Sequence, residues 1–187
     1  MKDVTQQEKA DKLVTLSNII KGHDERIVQA ISMLLNWEQN ILVVNSNGVY
    51  QDDVRTYARL ILMSVASENG NMQQVFEGPG RAMGFEIFDE IDTEALAKDV
   101  AERSILMLSA EPIVAQEMPV VIHKGWGGVI FHEACGHPLE ATSVAKGLSP
   151  FVGKLGEKIG SDVVTAYDDG DVAGAWGRTS FDDEGMK

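Results

Sequence analysis

His132, Glu133 and His137 form the pattern H-E-x-x-x-H inside the run Gly125-Trp126-Gly127-Gly128-Val129-Ile130-Phe131-His132-Glu133-Ala134-Cys135-Gly136-His137-Pro138-Leu139-Glu140. Two neutral imidazoles can bind a Zn²⁺ ion and leave room for another protein ligand and a water. Glu133 lies too close in sequence to His132 to be a comfortable third ligand. It is better placed as a base, taking a proton from a water that the ion makes acidic, so that the water attacks a peptide carbonyl. The obstacle is the spacing. Zinc peptidases commonly carry H-E-x-x-H on a helix, where a separation of four returns the second ring to the same face. At about 100° per residue, a separation of five turns the two rings roughly 140° apart. The pattern therefore predicts a local distortion, a one-residue π-bulge closed by i→i+5 bonds. Gly136 relaxes the backbone restriction there, and Pro138 disfavours regular helix at His137. A capped helix end in an acidic protein would also explain these three residues, and that alternative stays open at this point.

Other candidates carry less. Glu140, three residues beyond His137, could be a ligand or could orient a histidine. His123 precedes the motif at the end of a predicted strand, where a supporting or third-ligand role competes with that of a partly exposed histidine. Asp168, Asp169 and Asp171 around Gly170, and Asp182-Asp183-Glu184-Gly185, lack the length and spacing of a calcium loop and read as acidic turns. Gly78-Pro79-Gly80-Arg81 lacks the G-K-[ST] ending of a phosphate loop and reads as a turn. Cys135 reads as a small residue packed on the helix, and His23 as a surface residue near a helix end.

The elements that must position the motif follow from composition and periodicity. The chain has 187 residues, 44 % of them hydrophobic, which suits a packed core in one domain or one and a half. Its net charge of −13 argues against a nucleic-acid partner and against an anionic membrane surface. A single cysteine excludes an intramolecular disulfide. No apolar run approaches the ~18–20 residues that span a bilayer, and Met1–Lys12 has no signal-peptide core. A soluble, cytoplasmic protein is expected.

Residues 1–10 are polar and expected to fray, with a helix over 11–21 stopped by Gly22. The odd-position bias of Ile27, Ile31, Met33, Leu35 and Trp37 predicts a half-buried strand over 26–37, although Val28 and Leu34 keep a helical reading open. Ile41–Val44, Asn45-Ser46-Asn47-Gly48 and Val49-Tyr50 read as strand, two-residue turn and strand. A further strand over 54–66, the turn Glu68-Asn69-Gly70-Asn71 and a run over 72–76 complete an antiparallel meander. Asp92 and Thr93 cap a helix over 95–108, and Val120-Val121-Ile122 is predicted to be a buried strand. The fold class is α+β: an amino-terminal helix and antiparallel sheet meander over residues 1–118, then a helix-borne metal-binding segment beginning in 119–187.

The run Gly125–Glu140 resembles the zinc-binding signature of the TldD/PmbA family, peptidases once described as modulators of DNA gyrase. The likeness continues in Ser149-Pro150-Phe151-Val152-Gly153, Gly156-Glu157-Lys158-Ile159-Gly160-Ser161, Tyr167-Asp168-Asp169-Gly170 and Arg178-Thr179-Ser180-Phe181-Asp182-Asp183-Glu184-Gly185. Upstream, Arg26-Ile27-Val28-Gln29 and Asn45-Ser46-Asn47-Gly48-Val49 look like that family's sheet region. The resemblance implies a zinc metallopeptidase with His132 and His137 as zinc ligands and Glu133 as catalytic base. It implies proteolysis of unfolded or extended peptides, and a homo- or hetero-oligomer with a TldD/PmbA-type paralogue. It also implies a third zinc ligand, a cysteine in a carboxy-terminal domain, expected beyond Lys187; Cys135 cannot be equated with it. The chain is accordingly expected to be a fragment, a truncated product or half of a split protein.

Two functions follow. The first is the metal-binding portion of a zinc metallopeptidase whose sheet edge could hold extended peptide by strand addition. The second is a catalytically incompetent interaction module that pairs with a relative or a missing half. A gyrase modulator is a weaker third, since the charge opposes direct contact with DNA.

Overall fold

Thr5 and Glu8 start the first helix of the computed structural model, which describes residues 4–187, the side chain of Trp126 excepted. Helix α1 (Gln6–Lys21) begins at a capping box: Thr5 Oγ1 accepts the Glu8 N–H at 3.2 Å, and Glu8 Oε2 accepts the Thr5 N–H at 2.8 Å. The helix thus starts five residues before Asp11, in the stretch expected to fray, because Thr-x-x-Glu satisfies its first orphan donors. Gly22 closes it, donating to the Asn18 carbonyl at 2.8 Å.

Strands β1 (Ile27–Val44) and β2 (Tyr50–Glu68) pair antiparallel from Val44↔Tyr50 to Ile27↔Ala66. The separate short strands expected between 26 and 66 are therefore one long hairpin. The polar stretch Glu38-Gln39-Asn40 stays extended because β2 pairs with every residue of it. The connection is a five-residue loop and not a two-residue turn. Asn45 Oδ1 accepts the N–H groups of Asn47 and Val49 at 3.0 and 3.2 Å, and only Gly48 takes a positive φ, 85°. The two-residue turn lies instead at Asn69-Gly70, with φ of 50° and 82°. It leads into β3 (Asn71–Glu77), while β4 (Gly80–Arg81) pairs with β2 at Ala58 and Arg59.

A short helix α2 (Ile87–Glu90) precedes α3 (Thr93–Leu108), whose first turn is capped by Asp92 Oδ1 on the Ala95 N–H at 2.9 Å. Alternate residues of β2, Leu60, Leu62, Ser64 and Ala66, are fully buried. Leu60 and Leu62 form one core with Leu16 and Ile20 of α1 and Ala97, Val100 and Ala101 of α3. The Ser64 and Ser104 hydroxyls satisfy each other at 2.8 Å inside it.

The chain up to Pro112 and Asp169–Lys187 make one compact unit; Ile113–Asp168 makes a second. Asp169–Lys187 carries no helix or strand, yet it packs on the hairpin. Trp176 meets Trp37 and Tyr57 edge-on at 5.2 and 5.7 Å, and Ser180 Oγ donates to Asp53 Oδ2 at 2.6 Å. Sequence alone grouped these residues with the metal-binding segment. In the second unit, Val120-Val121-Ile122 forms no strand: Val121 is 97 % exposed, and no described residue pairs with the segment. No described helix is long and apolar enough to cross a membrane.

Candidate metal centre

Within the second unit the chain coils almost continuously from a 3₁₀ turn (Trp126–Gly128) through α4 (Val129–Phe131), a π-helical turn (His132–Gly136) and α5 (His137–Leu139) to α6 (Ala141–Ala145). The wide turn is closed by the His137 N–H on the His132 carbonyl, an i→i+5 bond. It absorbs the extra residue of H-E-x-x-x-H and brings the two imidazole centroids to 4.3 Å.

The neighbours of the turn explain it, but not wholly as the sequence suggested. Gly136 sits at φ −57° and ψ −62°, a conformation open to any residue, so its value is space and not backbone freedom. A Cβ there would stand 3.3 Å from His132 Nδ1. His137 keeps helical angles in spite of the following proline. Pro138 has no N–H for a regular i→i−4 bond, and its ring would press on the Ala134 carbonyl in a regular helix. A widened turn relieves that conflict. Ser149, nine-tenths buried, donates to the Pro138 carbonyl and accepts the Phe151 N–H at 3.0 Å, tying the next loop to the end of the motif. Nothing in the motif's spacing pointed to Ser149.

His132, Glu133 and His137 each offer a ligand atom within 4.8 Å of the others, all three side chains being exposed. Two ligand atoms of one tetrahedral ion lie about 3.4 Å apart, so modest ring rotation suffices. Glu133 Oε2 lies 4.0 Å from His137 Nε2. Glu140 is placed to orient a ring: its Oε1 is 2.7 Å from His137 Nδ1, which leaves Nε2 facing Glu133. That hydrogen bond raises the His137 pKa above its ordinary value, with the charges of Glu140 and Glu133 adding to it and burial opposing. The donor set, two imidazoles with one of them buttressed by a carboxylate, suits a borderline ion such as zinc.

The remaining candidates lie apart. His123 is exposed, with Nδ1 2.9 Å from the Lys124 carbonyl oxygen, and is not in the cluster. Cys135 is half-buried in the turn and contributes no ligand atom to it. Asp169 Oδ1 accepts the Asp171 N–H, Asp171 pairs with Arg178 at 2.8 Å, and Asp182 Oδ1 accepts the N–H groups of Glu184 and Met186. These are the acidic turns expected. Gly78 accepts the Arg59 guanidinium at 3.0 Å, again as part of a turn.

Comparison with known proteins decides the family. Residues 1–108 match the model of the PmbA/TldA metallopeptidase central domain, and residues 115–187 that of its C-terminal domain. The chain belongs to the TldD/PmbA family. Sequence alone placed that family's carboxy-terminal domain beyond Lys187; the second match puts the motif within the domain the model calls C-terminal.

A metalloprotease TldD homolog from Haemophilus influenzae is 31 % identical over 100 % of this chain and 40 % of its own length. A metalloprotease from Methanothermobacter thermautotrophicus is 34 % identical over 86 % of this chain and 35 % of its own. The chain thus spans about 40 % of the length of such curated relatives. Among solved structures, a candidate modulator of a DNA gyrase from Thermotoga maritima superposes with a TM-score of 0.83 at 23 % identity, covering 98 % of this chain and 41 % of that one. It shares the α+β fold.

Proposed function

We propose that this chain carries the metal-binding part of a zinc-dependent metallopeptidase of TldD type that cleaves unfolded or extended peptides. The observation that supports it most is the π-turn, which sets two imidazoles five residues apart around one point with a carboxylate beside them. His132 and His137 would hold the ion, and the family resemblance assigns a cysteine as third ligand. Bound zinc would polarise the scissile carbonyl and acidify a water. The residues do the rest. Glu140 holds the His137 ring by Nδ1, so that in the neutral ring the Nε2 lone pair is the one turned toward Glu133. Glu133, exposed and 4.0 Å from that nitrogen, receives the proton of the attacking water at Oε2 and passes it to the departing amine.

The test is metal analysis of the dialysed protein together with cleavage of an unstructured peptide, each with and without chelator. Zinc retained by the native chain and lost in both His132→Ala and His137→Ala is expected, with Glu133→Gln keeping zinc and losing cleavage. Unchanged zinc in both histidine variants would defeat the assignment.

A second reading, an interaction module that pairs with a TldD/PmbA-type partner, is favoured by the exposure of all three cluster residues. It predicts no cleavage by this chain alone and activity only when a partner or complementary half is added.

A further inference from the structure

Phe131, Cys135 and Leu139 recur every four residues, so they form an apolar ridge along one side of the coil that carries the motif. Together with Ala166 and Tyr167, that ridge lines a cavity of about 280 Å³. His132 forms part of the same wall. Three of the lining side chains are large, apolar and unburied: Phe131 is 49 % exposed, Leu139 53 % and Tyr167 92 %. Apolar side chains gathered around a concave surface, in place of being scattered, mark a surface that takes a partner.

We propose that this cavity receives the side chain of the substrate residue flanking the scissile bond, and that it selects leucine- or phenylalanine-sized apolar groups. The inference rests on the peptidase reading above and adds to it the class of residue recognised. The decisive juxtaposition is His132. Its ring belongs both to the metal cluster and to the cavity wall. A carbonyl attacked beside that ring has its own side chain, and that of the next residue, only two or three bonds away, within reach of the cavity. Gly136 also lines the cavity, so no side chain fills the space beside His132. The one carboxylate in the wall is Asp168, which opposes an acidic side chain. Exchange of glycine for leucine in such a pocket is worth about tenfold or more in affinity.

Cys135 is the only cysteine in the chain and lines the cavity, so its thiol reports occupancy directly. The rate of its reaction with dithiobis(nitrobenzoate) is to be measured on chelator-treated protein with blocked tetrapeptides that differ at one position: Leu, Phe, Gly, Asp or Lys. The Leu and Phe peptides should slow the reaction at least about threefold, and the Gly and Asp peptides should leave it unchanged. Protection should vanish in Ala166→Phe and in Leu139→Asp; a variant that loses its fold is recognised by circular dichroism and the other is read. Equal protection by all five peptides, protection by none, or strongest protection by the Lys peptide would overturn the proposal. The readout needs neither metal nor turnover. Loss of zinc or of cleavage in the histidine variants therefore bears on the peptidase reading, and the thiol protection pattern on the pocket.

Discussion

At Glu140 a single carboxylate decides how His137 behaves. Its hydrogen bond to Nδ1 fixes the ring and raises the pKa, so protons compete for the same imidazole that the proposed site would use for metal. The sign follows: metal binding requires the neutral ring, so affinity should fall as pH drops through the raised His137 pKa. Glu140→Gln should shift that midpoint to lower pH and weaken zinc binding by about 10- to 100-fold at neutral pH, as read by competition with a chromophoric chelator. The sequence showed Glu140 at helical reach of His137 but not its role, because a carboxylate three residues on can ligate or orient equally well. His123 and Cys135, equally suggestive by type, fall outside the cluster; residue type alone does not say where a side chain ends up.

The π-turn is the element on which the candidate site depends, and it was legible as a contradiction: two candidate ligands spaced wrongly for a regular helix. What spacing could not tell was the role of Gly136. Its angles are ordinary, and its contribution is the room it leaves beside His132 Nδ1. Gly136→Ala should therefore preserve helicity by circular dichroism and weaken zinc binding by about tenfold, since the methyl must displace the His132 ring. The misread strand at Val120–Ile122 shows the opposite failure. Three consecutive β-branched residues satisfy strand propensity, but a strand needs a neighbour to pair its backbone, and propensity cannot supply one. The five-residue loop at Asn45 differs from the turn expected because the Asn45 side chain accepts two backbone N–H groups that a tighter turn would leave to the strands.

Across the molecule, the α+β frame was readable from capping residues, alternation and the Asn69-Gly70 turn, whereas the docking of Asp169–Lys187 on the hairpin was not. That segment has no periodicity; it is held by Trp176, by the Arg55 bond to the Phe181 carbonyl at 2.7 Å and by Ser180 on Asp53. Trp176→Ala should cost about 2 kcal/mol in a denaturant melt. The Asp53 pKa is lowered, first by the Ser180 hydroxyl and then by Arg55, against the pull of burial. A carboxyl depressed in the folded state stabilises above its ordinary pKa and loses that contribution as pH falls through the folded value. Thermal stability should accordingly decline on acidification in the native chain, and the part due to this contact should be missing in Asp53→Asn.

The most direct measurement is X-ray absorption at the zinc edge on the loaded protein and on the two histidine variants. Convergence of imidazoles across a five-residue interval predicts two histidine nitrogens at about 2.0–2.1 Å, falling to one in either variant. A spectrum without paired imidazole scattering, or one that neither substitution changes, would contradict the account.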